Sequence, residues 1–391
     1  MCVSKSLLIQ NGTVYDGNGS PAVQADIRIR DGAISEIGPH LPLRDEKVFD
    51  AQGMLVTPGL IDLHVHAFSG MGQFAVDPDR AGLSTGVTTM LDAGTAGSLT
   101  WPAFHRHIIP HAAEDIYALL NISMIGCLQG NPKMPPYMGE LNDIRHADVP
   151  SAIACIKKFQ GQHTRLIGSK VRLTAGLANQ RVENERAGLQ GAVRVARETS
   201  TFCMVHHAMS QIPAEEVFAA LQTGDVFTHM YHPHADTPFS GKDGAPCDAL
   251  RRARDRGIFF DVGHGMGAFG WKIAEPACQQ HQFWPDTIST DLHQFNLETP
   301  VVDLPTTMSK FLYLGMPLEK VIRAVTGMPA IAMGMGNVFG RLFPGRQADI
   351  SLLQIEKGSF PLTDVVGEIR TASERIRPVA VVKKGVLTHL A

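Results

Sequence analysis

The chain has 391 residues, of which 44% are hydrophobic and 19% are charged, and this composition excludes a disordered protein. Its 35 lysine and arginine residues and 38 aspartate and glutamate residues give a net charge of −3 at pH 7. Because there is no basic block and no apolar run of the ~18 residues that a membrane span needs, we expect no nucleic-acid partner and no membrane partner.

The first residues, MCVSKSLLIQNG, contain only a short apolar run, so they do not resemble a secretory signal. The cysteines are widely spaced and form no C-x-x-C motif, which is typical of reduced thiols in a cytoplasmic protein. They are Cys2, Cys127, Cys155, Cys203, Cys247 and Cys278. We therefore expect a cytoplasmic protein.

Short β-strands are predicted at both ends of the chain. Near the amino terminus, SLLIQNGTVYDG runs into turn residues, and ADIRIRDGAISEIG alternates around Asp31-Gly32, which is a strong hairpin signal. Near the carboxyl terminus, ADISLLQI and PVAVVKKGVLTHL show the same pattern. We expect residues 1–57 and 344–391 to form one small antiparallel domain, a β-sandwich.

Short apolar strands alternate with helical patterns through residues 58–343. The predicted strands are GLIDLHVH (59–66), GVTTMLDAG (86–94), IYALLNISMIG (116–126), RLIGSKVRL (165–173), TFCMVHHA (201–208), DVFTHMYH (225–232), GIFFDVGHG (257–265) and DTISTDLHQ (286–294). Eight such strands predict a parallel α/β fold, a (β/α)8 TIM barrel, and an open doubly wound sheet is the alternative. The segment from Leu128 to Pro150, rich in Pro, Gly and Met, is predicted to be a long loop or lid.

Polar residues of metal-ligand type stand where these apolar strands end. They are His64 and His66 on the first strand, Lys170 on the fourth, His206 and His207 on the fifth, His229 and His232 on the sixth, His264 on the seventh, and Asp291 and His293 on the eighth. Each alone has an ordinary explanation, such as a helix-capping aspartate. The carboxyl ends of barrel strands meet at one rim, however, and residues i and i+2 of a strand share a face, so the combination predicts a metal site.

Two segments resemble the signature of the amidohydrolase superfamily. They are TPGLIDLHVHAFSG (57–70) and TGMPAIAMGM…GRLFPGRQADISLL (326–353), and the similarity extends over essentially the whole chain. The strand segments GSKVRL, MVHH, FTHMYH, FFDVGHG and STDLHQ resemble the dihydroorotase-like branch known as amidohydrolase/deacetylase family metallohydrolases. That branch includes deacylating enzymes such as an acetyl-(R)-mandelate esterase.

The resemblance implies a centre of two divalent metal ions, with Zn²⁺ as the expected metal. The matching positions are His64, His66 and Asp291 for the buried ion, His206 and His229 for the exposed ion, and a carboxylated Lys170 that bridges both. Imidazole and carboxylate are suitable zinc ligands. Carboxylation needs a neutral amine, which apolar neighbours such as Ile167 and Val171 favour. A homo-oligomer is also expected from the family.

For the remaining histidines, the sequence leaves alternative roles open. The family pattern favours His206 over His207, which we expect at the rim or against a helix. His232 and His234 are expected to be an exposed loop pair, with substrate contact as the alternative, and His293 to hold Asp291 or a neighbour. The candidates for contact with substrate, by location alone, are His264, Arg172, Asn179 and Asn296.

These residues predict metal-assisted hydrolysis of an acyl bond, amide or ester, in a small carboxylate-bearing molecule, as in a deacetylase, deacylase or esterase. Asp291 would take the proton of the bridging hydroxide and pass it to the leaving group. One alternative is a cyclic-amide hydrolase of the dihydroorotase or hydantoinase kind, which would use the same ligands. The other is a catalytically silent barrel subunit, which the presence of all six matched positions disfavours.

Overall fold

Two β-sheets organise the chain in the computed structural model, which describes residues 6–128, 139–161 and 164–390. The strands are β1 (Ser6–Val14), β2 (Val23–Arg30), β3 (Ala33–Gly38), β4 (Lys47–Asp50), β5 (Leu55–Pro58), β6 (Leu60–Val65), β7 (Val87–Asp92), β8 (Asp115–Asn121), β9 (Leu166–Leu173), β10 (Phe202–His207), β11 (Val226–Thr228), β12 (Phe259–Phe260), β13 (Ile350–Thr363), β14 (Ile369–Lys383) and β15 (Val386–His389).

Helices pack between and around these strands. They are α1 (Pro78–Ala81), α2 (Trp101–His107), α3 (Val149–Phe159), α4 (Val182–Thr199), α5 (Ala214–Ala220), α6 (Asp248–Asp255), α7 (Trp271–Glu275), α8 (Leu304–Tyr313), α9 (Leu318–Ala324) and α10 (Gly327–Ala332). The longest, α4, carries Glu183 and Glu185 in its first turn and Arg197 in its last, which complements the helix dipole. None of the described helices is long and apolar enough to cross a membrane.

The terminal sheet contains strands from both ends of the chain, as predicted. Its order is β15-β14-β13-β5-β1-β2-β3, with β4 also paired to β1. Asp31 and Gly32, at the predicted hairpin, both have left-handed φ values, 50° and 81°, as this type of tight turn requires. The expectation of purely antiparallel pairing is wrong, because the chain returns on the other edge of β1 and β4 and β5 pair with it in parallel.

The second sheet closes into the predicted barrel. Strands β6 to β12 lie side by side in chain order, and each pair is parallel. The eighth segment, residues 287–292, forms parallel bridges from Thr287 to Asp261 on one side and from Leu292 to Val65 on the other. The amide of Asp291 also donates to the carbonyl of His64 at 2.7 Å. The ring is therefore complete, and the open doubly wound alternative is excluded.

The predicted loop from Leu128 to Pro150 can be followed only in part, since residues 129–138 lie outside the described residues. Its described part contains the buried Glu140 and leads into α3. The five cysteines within the described ranges are free thiols, in agreement with the prediction for them.

The hairpin of β13 and β14 extends from the terminal sheet over the mouth of the barrel. At its tip, the carbonyl of Thr363 accepts a 2.6 Å hydrogen bond from Lys310 Nζ in α8. Asp364 accepts one of 3.0 Å from the amide of Trp271, and Val365 donates one of 3.1 Å to the carbonyl of Phe269. These bonds fix the hairpin tip against the carboxyl-terminal side of the barrel.

A buried lysine joins the base of the same hairpin to the barrel. Lys383 Nζ donates to Asp115 Oδ2 at 2.7 Å, to Asp349 Oδ2 at 2.8 Å and to the carbonyl of Thr88 at 2.9 Å. Although burial opposes the effect, the Lys383 ammonium lowers the pKa of Asp115 to about 2. The Asp115 contribution is therefore complete above the unfolded pKa of about 3.9 and is lost as the pH falls towards 2.

We expect Lys383→Met to lower the free energy of unfolding by about 3 kcal/mol at pH 7, because it takes the cation from the partly buried Asp349 carboxylate and the nearest of several cations from Asp115. Urea denaturation measures the change. Lys384→Met is the matched control, since the neighbouring side chain is exposed, and its effect should stay within about 0.5 kcal/mol. If the two substitutions lower the free energy of unfolding equally, Lys383 does not stabilise the contact between the terminal sheet and the barrel.

Candidate metal centre

Three side chains from opposite ends of the barrel sequence meet at the carboxyl-terminal rim. Nε2 of His64 lies 3.3 Å from Oδ1 of Asp291, and Nε2 of His66 lies 3.2 Å from the same oxygen. All three residues are buried. The parallel bridge between Val65 and Leu292 brings the two segments into register, so the arrangement follows directly from barrel closure.

A hydrogen-bond relay orients His66. The hydroxyl of Thr95 donates to Asp92 Oδ2 at 2.7 Å, so it accepts from His66 Nδ1, which lies 2.9 Å away. The ring proton is thereby assigned to Nδ1, and the lone pair of Nε2 points towards Asp291. Asp92 also accepts the amides of Ala67 and Thr95, which hold the carboxylate in place.

His64 is oriented in the same way by a second relay. Its Nδ1 lies 3.1 Å from the hydroxyl of Thr228, which donates to Asp261 Oδ2 at 2.7 Å. Its Nε2 therefore also presents a lone pair to Asp291 Oδ1. Relays of this kind, from carboxylate through imidazole, are typical of histidines that bind metals.

His206 and His229 form the other side of the group. Their ring centroids are 4.1 Å apart, and the His229 ring lies 5.0 Å from that of His64. His229 Nδ1 donates to the carbonyl of Gly263 at 2.5 Å, which leaves its buried Nε2 without a hydrogen-bond partner among the described residues. His206 Nε2 lies 3.1 Å from the hydroxyl of Thr174, which itself donates to the carbonyl of Ala208.

Lys170 reaches the group from β9. Its Nζ lies 3.1 Å from His64 Nε2 and 3.4 Å from the sulfur of Met204. Burial lowers the pKa of this lysine to about 8, so a neutral amine is accessible near neutral pH. Gly94 permits the position, because a Cβ there would lie 2.7 Å from the Cβ of Lys170.

The electrostatics of the group fit a bound cation. Burial lowers the pKa values of His64, His66 and His206 well below the usual range, and that of His229 to about 3, so the imidazoles are neutral. Neutral imidazoles then face the Asp291 Oδ1 atom, which has no hydrogen-bond donor in the described parts of the chain. Since acceptors facing acceptors are unfavourable when buried, these residues suit a divalent ion with nitrogen and oxygen ligands.

Backbone strain accompanies these positions. Asp291 has a φ of 50° and His229 one of 71°, both in the left-handed region that side chains rarely adopt. Gly265 allows the approach of Asp291, because a Cβ at this glycine would lie 2.5 Å from Asp291 Oδ2. Strain of this kind is concentrated at functional sites in proteins.

A cavity of about 420 Å³ opens above the group. Its lining comprises Phe74, Arg172, Thr174, Leu177, His206, Ala208, Met209, His229, Pro233, His234, Met266, Gly267, Ala268, Asp291, His293, Phe295, Val365 and Val366. Most of these side chains are apolar, and the last two belong to the hairpin tip. Arg172 Nε donates to Glu140 Oε1 at 2.6 Å, and the guanidinium lies 5.5 Å from the centroid of the Phe74 ring.

The prediction that His264 contacts substrate is corrected by its position. Its Nε2 lies 2.6 Å from Lys310 Nζ, and its ring stacks on Phe269 with centroids 4.8 Å apart. It is fully buried and does not line the cavity. His264 lies four residues after β12 ends at Phe260, and its ring turns towards α8, where Lys310 contacts it.

Asn296 and Asn179 also lie away from the cavity lining. Asn296 is buried, donates to the carbonyl of Asp291 at 2.8 Å and accepts from the amide of His293 at 2.9 Å, so it shapes the loop that carries Asp291. Asn179 is exposed, with a left-handed φ of 55°, and its amide donates to Asn142. Of the four predicted substrate contacts, Arg172 is the one that lines the cavity.

The remaining histidines take separate positions. His293 lines the cavity, with its ring 4.3 Å from that of Phe74. Its Nδ1 accepts from the amide of Phe295 at 3.2 Å, so it holds a neighbour of Asp291, as one of the two expectations for it stated. His207 is buried against Phe227, and His232 is also fully buried, so the expectation of an exposed loop residue is wrong for His232. His234 is half-buried and lines the cavity.

Several residues that organise the site had not been identified from the sequence: Asp62, Asp92, Thr95, Thr228 and Asp261. Asp62 accepts from the hydroxyl of Thr290 at 2.5 Å and so ties the first barrel strand to the eighth. Burial raises the pKa of Asp62 to about 7 and that of Asp92 to about 6. All five are polar residues within or just after apolar strands, and this pattern could have identified them from the sequence.

Comparison with known proteins supports the family that the sequence motifs indicate. A model of the amidohydrolase family matches residues 55–387, and the chain belongs to this family. It is 34% identical to a deacetylase from Brucella anthropi over 96% of this chain and 90% of the relative. Two crystal structures are also similar: an adenine deaminase (27% identity, TM-score 0.87, 98% of this chain and 99% of that one) and a dihydroorotase (29%, 0.85, 99% and 98%).

We expect Thr95→Val to weaken divalent-metal binding by about 10- to 100-fold, because His66 loses the acceptor that fixes its proton on Nδ1. Competition with a chromophoric chelator measures the affinity. Thr95→Ser keeps the hydroxyl and should bind metal like the unmodified protein. If Thr95→Val binds divalent metal with unchanged affinity, the relay through Thr95 does not contribute to metal binding.

Proposed function

We propose that the protein is a binuclear metal-dependent hydrolase that releases an acyl group from a small carboxylate-bearing amide or ester. One observation carries this proposal: imidazole lone pairs and the Asp291 carboxylate converge at the floor of a largely apolar cavity whose wall includes Arg172. The similarity to curated deacetylases supports deacylation among the reactions of the family.

The residues at the rim would hold two ions. His64, His66 and Asp291 would hold one, and His206 and His229 would hold the other. Lys170 would bridge them as a carbamate, which is supported by its complete burial and by its contact with His64. Zinc is the metal that this combination of imidazole and carboxylate favours.

When bound, the ions would lower the pKa of a shared water towards neutrality and polarise the carbonyl of the substrate. Asp291 would then accept the proton of the attacking hydroxide and donate it to the departing amine or alkoxide, so that the acyl group is released as a carboxylate. The left-handed backbone at Asp291 and the hydrogen bond from Asn296 to its carbonyl fix the backbone that carries this carboxylate.

Arg172 is proposed to bind the carboxylate of the substrate. It lies in the cavity wall on the same strand as Lys170, two residues further, and so points to the same face. The apolar part of the wall, including Phe295 and the hairpin residues Val365 and Val366, would receive the side chain of the substrate. N-acyl amino acids and O-acyl hydroxy acids have this combination of groups.

We expect the metal-loaded protein to hydrolyse members of a panel of N-acetyl amino acids and acetylated hydroxy acids. Asp291→Asn should lower kcat by about 10² to 10⁴, the usual contribution of an acid–base group, while metal content changes much less. Product analysis by mass spectrometry and elemental analysis give the two readouts. Glu298→Gln, an exposed change in the same loop, is the control.

Near-normal turnover by metal-loaded Asp291→Asn would remove this residue from its assigned role. The panel also includes dihydroorotate, hydantoins and adenine, because the ligands are compatible with cyclic-amide hydrolysis and the similar structures include a dihydroorotase and an adenine deaminase. Ring opening or ammonia release in place of acyl release would overturn the deacylase assignment.

Arg172→Gln should raise KM for carboxylate substrates by about 10- to 100-fold, the equivalent of ~1.5–3 kcal/mol for a hydrogen bond to a charged group. The matching carboxamide substrates should be affected much less, and this difference separates a binding role from a structural one. Arg186→Gln, at an exposed ion pair, is the control. An equal effect on both substrate types would exclude Arg172 as the carboxylate-binding residue.

A further inference from the structure

A second group of metal-ligand side chains lies behind the candidate centre. It consists of His207, His232 and Asp236, whose ligand atoms all lie within 4.8 Å of one another. Both histidines are fully buried, and the Asp236 side chain is 14% exposed. His207 follows His206 on β10 and so faces the opposite side of the strand, away from the cavity.

The hydrogen bonds of His207 leave a lone pair without a protein donor. Its Nε2 donates to the carbonyl of Ile212 at 2.8 Å, so its Nδ1 is the unprotonated nitrogen. That Nδ1 is buried, has no hydrogen-bond partner among the described residues, and lies 3.7 Å from Asp236 Oδ2. An imidazole lone pair therefore faces a carboxylate oxygen.

His232 completes the arrangement on the other carboxylate oxygen. Its Nδ1 lies 3.9 Å from Asp236 Oδ1 and has a long 3.4 Å contact from the amide of His234. Its Nε2 is buried without a hydrogen-bond partner in the described part of the chain. Asp236 itself is held by the amides of Met209 at 3.1 Å and Ser210 at 2.8 Å.

The two nitrogen–oxygen separations are too long for hydrogen bonds and short enough for a shared ion. Ligands at about 2.1 Å from one zinc ion in tetrahedral geometry stand ~3.4 Å apart, and somewhat farther apart when the angle opens. We propose that His207, His232 and Asp236 form a further divalent-cation site, suited to Zn²⁺ by its two imidazoles and one carboxylate.

The position of this site gives it a structural role. His207 ends β10 and His232 follows β11, and the loops after these strands carry the cavity residues Met209 and His234. An ion bound by both loops would cross-link them and hold the cavity wall without contacting substrate. The site shares no side chain with the group around Asp291, so it does not depend on the proposed function.

The test first weakens the candidate centre by removing two of its proposed ligands, and then measures the zinc that depends on Asp236. We expect the His64→Asn/His66→Asn protein to retain zinc after dialysis against a weakly chelating buffer, as measured by elemental analysis. Adding Asp236→Asn should remove one ion per chain and abolish the rise in Tm that added zinc produces. Adding Asp243→Asn, an exposed carboxylate after β11, is the matched control and should remove none.

Equal zinc content with and without Asp236→Asn would overturn the site, as would an equal loss in the Asp243→Asn control. If the variants do not fold, anomalous diffraction at the zinc edge from crystals of the unmodified protein decides. A peak between His207 Nδ1 and the Asp236 carboxylate is the expected result, and a water molecule there in zinc-loaded crystals would overturn the proposal. Failure of the Asp291 centre alone would leave this peak in place.

Discussion

The buried oxygen of Asp291, faced by the lone pairs of two imidazoles, is the constraint to which the rest of the molecule is adapted. Such an arrangement is unfavourable without a cation, because Oδ1 of Asp291 has lost water and gained no donor from the described residues. The chain maintains it through bonds made elsewhere. Relays ending in Asp92 and Asp261 hold the rings, and the backbone at Asp291 is kept in a strained conformation.

Barrel closure makes these local arrangements possible. His64 and Asp291 are far apart in the chain, yet the hydrogen bond from the amide of Asp291 to the carbonyl of His64 places them side by side. Asp62 reinforces this seam by accepting from Thr290. The residues that close the fold and those that form the site therefore occupy the same strands, so fold stability and site geometry are linked.

The strand ends explain what could be predicted from the sequence. Alternation along β6 and the residue after it is enough to place His64 and His66 on one face, and alternation along β9 does the same for Lys170 and Arg172. The order of strands follows from the βα repeat. The loop residues could not be placed in this way. His264 is turned by Lys310 of a distant helix, and Asn179 is carried outwards by a left-handed turn, so their directions depend on tertiary contacts that no spacing records. The parallel pairing of β4 and β5 was missed for the same reason.

The long hairpin of β13 and β14 belongs to the terminal sheet, yet its tip supplies two valines to the wall of the barrel cavity. The tip is anchored by the backbone of Thr363 and Val365 and by the carboxylate of Asp364, whereas the side chain of Val366 is 59% exposed and little constrained by packing. A change at Val366 would therefore alter the cavity wall without disturbing the residues of the candidate centre. Selectivity and chemistry would then evolve on separate parts of the chain.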